Sequence, residues 1–434
     1  MMAALDTKWF EALRQIHGPR PVQALLPRVD RYRQTSWSLE RLETVATQLH
    51  ALEERLAAEE NNRLLQQIYA AVIREQLIKT ELLQAALQGE GERFRQANQK
   101  LYGTINADLW RTCVSYLDDR LCSDSLQKET SQSDELHQHF TNLVGLAHPV
   151  PLVERLPSQE VFKELRQEYL RLPEVARLDG AIPHGLHTVA EIVVMCRELV
   201  APLGYKVVWR DAAVFRMRVA HNRRLVIILG PASAKLKSLR VKGLLCHHEI
   251  GIHVLRRVTA EKSPILLLQS GLDLFERGEE GLGVTAELMV HSHLNSALAS
   301  RRVFALVLRY YISGLIAGQG GAAYKDTQVT TAHLESLFLA WLSMSPKRSD
   351  ADQNALIARQ QTAVMMASLL RGMGHNTQGI YFGRPAVYLP SMISVMATLS
   401  RKEMTWPALL YGHFDPNRTL HQEAVAYAQA HLLE

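Results

Sequence analysis

The chain has 434 residues, a 47% apolar composition and a net charge of +5. That length suggests two or three structural units with ample core. The mild charge, spread in short pairs such as Arg223-Arg224 and Arg256-Arg257, demands no nucleic-acid partner. Cys113, Cys122, Cys196 and Cys246 form neither a C-x-x-C pair nor a disulfide ladder, which points to a reducing compartment. The first residues lack a basic-then-apolar signal pattern, and the most apolar stretch, 303–318, is short and broken by Arg309. The expectation is a cytoplasmic protein with no membrane span; nothing in the sequence fixes its oligomeric state.

In chain order, residues 38–88 read as helical, with Leu42, Val45, Leu49, Leu52 and Leu56 at three- and four-residue steps. Gly89 and Gly91 break the run. Further helices are predicted over 94–101 and 133–146. Prolines 149, 151 and 157 mark a boundary, dividing the chain into an N-terminal helical region, 1–146, and a second unit, 147–434. Helices over 158–172 and 189–199 lead to candidate strands at 205–209, 214–220 and 225–229. The last two, joined through His221-Asn222-Arg223, read as an antiparallel hairpin. Ser238 is the expected N-cap of a long helix, and Arg256 and Arg257 fall near its end, where positive charge is favoured. The remainder reads as mostly helical. The fold class is therefore α+β, mainly helical, with a small antiparallel sheet before the helix that carries the chemistry.

That helix contains His248-Glu249-Ile250-Gly251-Ile252-His253. Two imidazoles and an adjacent carboxylate resemble the H-E-x-x-H arrangement of zinc peptidases, with one residue added. In an ideal α-helix His248 and His253 would point about 140° apart. Both reach one ion only if the helix is widened or broken between them, and Gly251 sits in that gap. Zinc needs a third protein ligand. The candidates lie in Glu279-Glu280-Gly281-Leu282-Gly283, with Glu280 preferred, Glu279 as an acceptor that orients a ligand, and Glu276 and Glu287 weaker. His247 points to another helix face and reads as structural. The bland alternative is a helix face bearing ordinary core histidines.

The run Leu239-x-Val241-Lys242-Gly243-Leu244-Leu245-x-His247-His248-Glu249-Ile250-Gly251-Ile252-His253 resembles the core of the microtubule-associated tyrosine carboxypeptidase-like family. Its bacterial branch is the flavohaemoglobin-expression-modulating QEGLA-motif proteins, and Glu279-Glu280-Gly281-Leu282-Gly283 stands where that motif falls. Leu101-Tyr102-Gly103, Arg371-Gly372 and Tyr388-Leu389 extend the likeness from about 94 to 390. The resemblance implies a zincin-like metallopeptidase of carboxypeptidase type, with His248, His253 and Glu280 holding Zn2+ and Glu249 as general base. The substrate would be a peptide or protein C-terminus; the tubulin of the eukaryotic members does not follow for a chain of bacterial type. Gly283 replaces the family's alanine. The family's Phe-x-Lys-Asp appears as Phe382-Gly383-Arg384-Pro385, keeping a cation and losing an acid.

On chemical grounds Arg384 and Arg371 are candidates to grip a substrate carboxylate. Tyr388, ahead of Tyr310 and Tyr311, is the candidate donor to a developing oxyanion. The apolar strand 225–229 is a candidate to pair with an extended substrate. Two other functions stand beside the carboxypeptidase: a peptide-tailoring hydrolase with one small substrate, and a catalytically silent regulatory or binding protein on the same fold.

Overall fold

The computed structural model describes residues 5–17, 37–122, 131–145, 149–212, 215–220, 223–298, 300–344, 350–372 and 378–432. The expected unit boundary at 146/147 and the tip of the hairpin at 221–222 lie outside these. The described chain is mostly helical with two small sheets, an α+β arrangement. No helix among the described residues is long and apolar enough to cross a membrane.

The leucine stripe buries as its spacing requires. Leu42, Val45, Leu49, Leu52 and Leu56 all face inward from the helix Leu39–Glu59, which Ser38 caps. The next helix, Arg63–Gln88, starts at Asn62, whose side chain accepts from the amides of Leu64 and Leu65, and stops at Gly89 with φ 72°. Helices Gly91–Tyr102 and Ser131–Val144 match expectation, while Ala107–Cys122 was not anticipated. One apolar cluster contains Leu49 and Trp110 together with Leu282, Tyr311 and Met392, so it runs through both halves of the chain. The N-terminal helix Thr7–His17 is fixed by Asp6, whose carboxylate accepts from the amides of Leu266 and Leu267 and from Tyr69 Oη.

The larger sheet corrects the antiparallel expectation. It contains β2 (Lys206–Arg210), β3 (Arg216–Ala220) and β4 (Leu225–Leu229), in the order β2-β4-β3. β4 pairs antiparallel with β3, as a hairpin should, but parallel with β2. The reason lies in composition. Leu-Val-Ile-Ile-Leu buries its three central residues, whereas the flanking strands carry Lys206, Arg210, Arg216 and Arg218. An apolar strand gains most at the centre, and charged strands tolerate an edge. A second, unanticipated pair joins β1 (Leu186–Thr188) to β5 (Lys235–Lys237) in antiparallel register. Thr188 then starts the helix Val189–Val200 with a capping box to Glu191.

The segment after β5 changes register twice. Ser238–Val241 is α-helical, Lys242–Val254 is a π-helix, and Leu255–Ala260 is α-helical again. Lys237, not Ser238, occupies the N-cap position. The widening expected between His248 and His253 therefore spans 13 residues. Its i→i+5 ladder brings residues five apart onto one face. One side of this helix, through Leu245, Ile250 and Val254, packs with Val226 and Ile228 of β4. Ile252 joins the other core, with Leu282 and Val284 of the helix Phe275–Leu288.

Gly251 is required by that ladder. A Cβ there would lie 2.6 Å from the Cys246 carbonyl oxygen, five residues back, and 3.0 Å from Tyr169 Oη. Backbone cannot rotate away from such a contact. In Gly251→Ala, a 2.6 Å contact on backbone puts the overpacking cost in the upper part of the ~1–3 kcal/mol range, above the roughly 1 kcal/mol propensity gain of alanine over glycine. The variant is expected to unfold at lower urea with an unchanged m-value. Equal or greater stability would rule out the close i→i+5 approach at this position.

Candidate metal centre

The π-helix places His248 and His253 with ring centroids 5.0 Å apart. The helix Phe275–Leu288 crosses beside it and presents Glu280. His248 Nε2 lies 3.6 Å and His253 Nε2 4.0 Å from the same oxygen, Glu280 Oε2. One ligand atom from each of the three residues falls within 4.8 Å of the others, and all are largely shielded from solvent. Close packing makes this approach possible. A Cβ at Gly281 would lie 2.6 Å from the Ser391 backbone of the helix Tyr388–Ser400, and one at Gly283 would lie 2.9 Å from His248 Nε2. Gly283 thus leaves room for the His248 ring.

Each imidazole is oriented from behind. His253 Nδ1 stands 2.7 Å from Glu279 Oε1, and His248 Nδ1 stands 3.3 Å from Glu287 Oε2. A carboxylate only accepts, so both Nδ1 atoms carry hydrogen and both Nε2 atoms face Glu280. This carboxylate–histidine pattern fixes the tautomer a metal requires. Glu279 also accepts from His413 Nδ1 at 3.0 Å and pairs with Arg256. Arg256 is fully buried; it also donates to the Phe414 carbonyl at 2.9 Å and lies over the Phe414 ring. It anchors the site rather than serving the helix terminus. Glu287 pairs with Arg302 at 3.0 Å. His247 is structural, between Tyr169 Oη at 3.3 Å and Asp179 at 2.9 Å.

Electrostatics follow from this crowding. Burial disfavours ionised Glu280, but His248, His253 and Arg384 outweigh it and hold its carboxyl down at about 2. Burial likewise opposes ionised Glu279, which Arg256 and His413 hold well below the usual range. Burial also opposes the His248 imidazolium, yet the nearby carboxylates of Glu280 and Glu287 raise its pKa to about 10. Cation uptake must therefore displace protons. Glu249 is buried next to these groups; burial raises its carboxyl despite the pull of His253 and His248.

The triad and Glu249 open into a cavity of about 1430 Å³. Twelve arginines and one lysine line it against five glutamates, so its field favours anions. Tyr388 lines it, and burial keeps its phenol protonated. Tyr310 and Tyr311 do not: the first accepts from the Asn106 amide at 2.9 Å, and the second bonds His139 and His333. Arg371 lines the cavity with its guanidinium over Phe382. Arg384 is engaged by the chain's own acids, with Nε 2.9 Å from Glu276 and Nη2 3.3 Å from Glu280. Its guanidinium thus offsets the charge of Glu280. The strand Leu225–Leu229 also differs from expectation. Both its edges are taken by β2 and β3, so the ladder edge beside the cavity belongs to β3.

Glu287, Arg302 and His413 were not foreseen in these roles. Glu287 had a signal: it lies seven residues after Glu280, on the same helix face. Arg302 and His413 reach the site from distant segments and leave no local trace. No family model matches the chain, and no curated protein matches it.

Glu279→Gln should be costly, because Arg256 would keep a buried charge with its main partner lost. Breaking such a pair costs about 3–5 kcal/mol. Thermal unfolding is expected to shift down by several degrees. An unchanged transition would mean that Arg256 is balanced by another acid.

Proposed function

We propose that the chain is a zinc-dependent peptidase of carboxypeptidase type, acting on the C-terminus of a peptide or protein. The observation that carries this reading is the convergence of two imidazole Nε2 atoms and the Glu280 carboxylate, each imidazole backed by its own carboxylate, inside a large cavity. A two-nitrogen, one-oxygen donor set with room for a further ligand suits catalytic zinc. The motif resemblance to the tyrosine carboxypeptidase-like family supports the same reading.

When bound by His248, His253 and Glu280, zinc supplies Lewis-acid polarisation and a more acidic water. Glu249 takes the proton from the attacking water and passes it to the leaving amine, a task its raised pKa suits. Tyr388, still protonated, donates to the oxygen that gains charge. The β3 edge offers backbone groups to an extended peptide. Arg384 and the two rear carboxylates keep Glu280 and the imidazoles in place.

Protein purified without a metal-binding tag is expected to carry about one zinc per chain by elemental mass spectrometry, as a single site requires. His248→Ala and Glu280→Ala should lose it. Glu249→Gln should keep the zinc and slow C-terminal trimming of a peptide mixture by at least about a hundredfold. Absence of zinc after loading and buffer exchange would end the peptidase reading; wild-type trimming by Glu249→Gln would end the base assignment.

A further inference from the structure

Because Arg384 already pairs with Glu276 and Glu280, other basic groups of the cavity are better placed to receive an anion. Two arginines of the helix Arg301–Ile316 stand out. Arg302 and Arg309 are seven residues apart, two turns along one face. Both guanidiniums lie over the Tyr388 ring, with Cζ 5.8 and 5.5 Å from its centroid. Both line the cavity. Arg302 has one acid, Glu287, the same carboxylate that orients His248. Arg309 has no carboxylate within ion-pair distance among the described residues, and its Nε is buried without a hydrogen-bond partner.

A guanidinium so placed is poorly compensated. Burial lowers its pKa to about 10; Tyr388 and Glu280 favour its charge, whereas Arg302 and Arg216 oppose it. Two cations gathered on one ring, with a single acid between them, leave a site that lacks an anion. Its position is set by Tyr388 and by the Arg302–Glu287–His248 chain, which tie it to the metal triad. Arginine's planar fork matches a carboxylate.

We infer that Arg309, with Arg302 beside it, forms a carboxylate subsite next to the metal triad and selects the end of the peptide to be cut. This rests on the peptidase reading for its purpose, but not for its existence. A carboxylate there satisfies the Arg309 fork and lies against the Tyr388 edge of the site. The anion can come from a chain terminus or from an acidic side chain.

The test needs no turnover. Octapeptides with neutral first residues and randomised last three positions are offered to immobilised Glu249→Gln protein, as free acids and as C-terminal amides. Retention is read by mass spectrometry. Free acids are expected to be retained about tenfold or more above amides, the range for a hydrogen bond to a charged group. Arg309→Met should abolish the preference, and Arg309→Lys should restore part of it. A merely structural arginine would lower stability without touching the acid-to-amide ratio. If amides ending in Asp or Glu are retained as well as free acids, the subsite stands and reads a side-chain carboxylate. No retention, or a preference unchanged in both Arg309 variants, would overturn it. Zinc content, measured on the same samples, separately decides the peptidase reading.

Discussion

Two histidines five residues apart must face one glutamate oxygen, and this requirement shapes the centre of the molecule. An α-helix cannot meet it; a π-helix can. The wider ladder in turn demands a residue without a side chain at Gly251, where the backbone closes on the Cys246 carbonyl. It also demands firm support on both sides, since a long π-helix has little intrinsic stability. Support comes from the sheet through Val226 and Ile228 and from the glutamate helix through Leu282 and Val284. The strained element is thus clamped between the two apolar cores.

Charge is handled by the same logic. Four buried glutamates, Glu249, Glu279, Glu280 and Glu287, sit near two imidazoles. Such a set is unstable unless each acid has a partner. Arg256 serves Glu279, Arg302 serves Glu287, and Arg384 serves Glu280. Glu249 alone has no arginine within ion-pair distance among the described residues, and its carboxyl is the one whose pKa rises. The arrangement separates three arginine-paired acids from one whose charge burial disfavours.

Much of this was legible in the sequence, because local spacing encodes local geometry. The leucine stripe from Leu42 to Leu56, the strand at Leu225–Leu229 and the need to widen the helix around Gly251 all follow from counting residues. The preference for Glu280, which lies near both imidazoles, comes instead from the motif resemblance. Long-range pairing was not legible. The parallel register of β2 with β4 depends on which strand is most apolar in competition with its neighbours. The helix Ala107–Cys122 hides its stripe because Trp110, Cys113 and Leu117 are interleaved with Thr112 and Ser115, which blur the contrast. The pairing of Arg384 with Glu276 spans 108 positions, and no periodicity records it.

β3 has one further consequence. A strand edge left open beside a cavity is a template for any extended chain, including another copy of the same protein. Here that edge carries Arg216 and Arg218 two positions apart, on one side of the strand. Charged residues on an edge strand blunt that hazard, and Arg216 and Arg218 stand where such residues act.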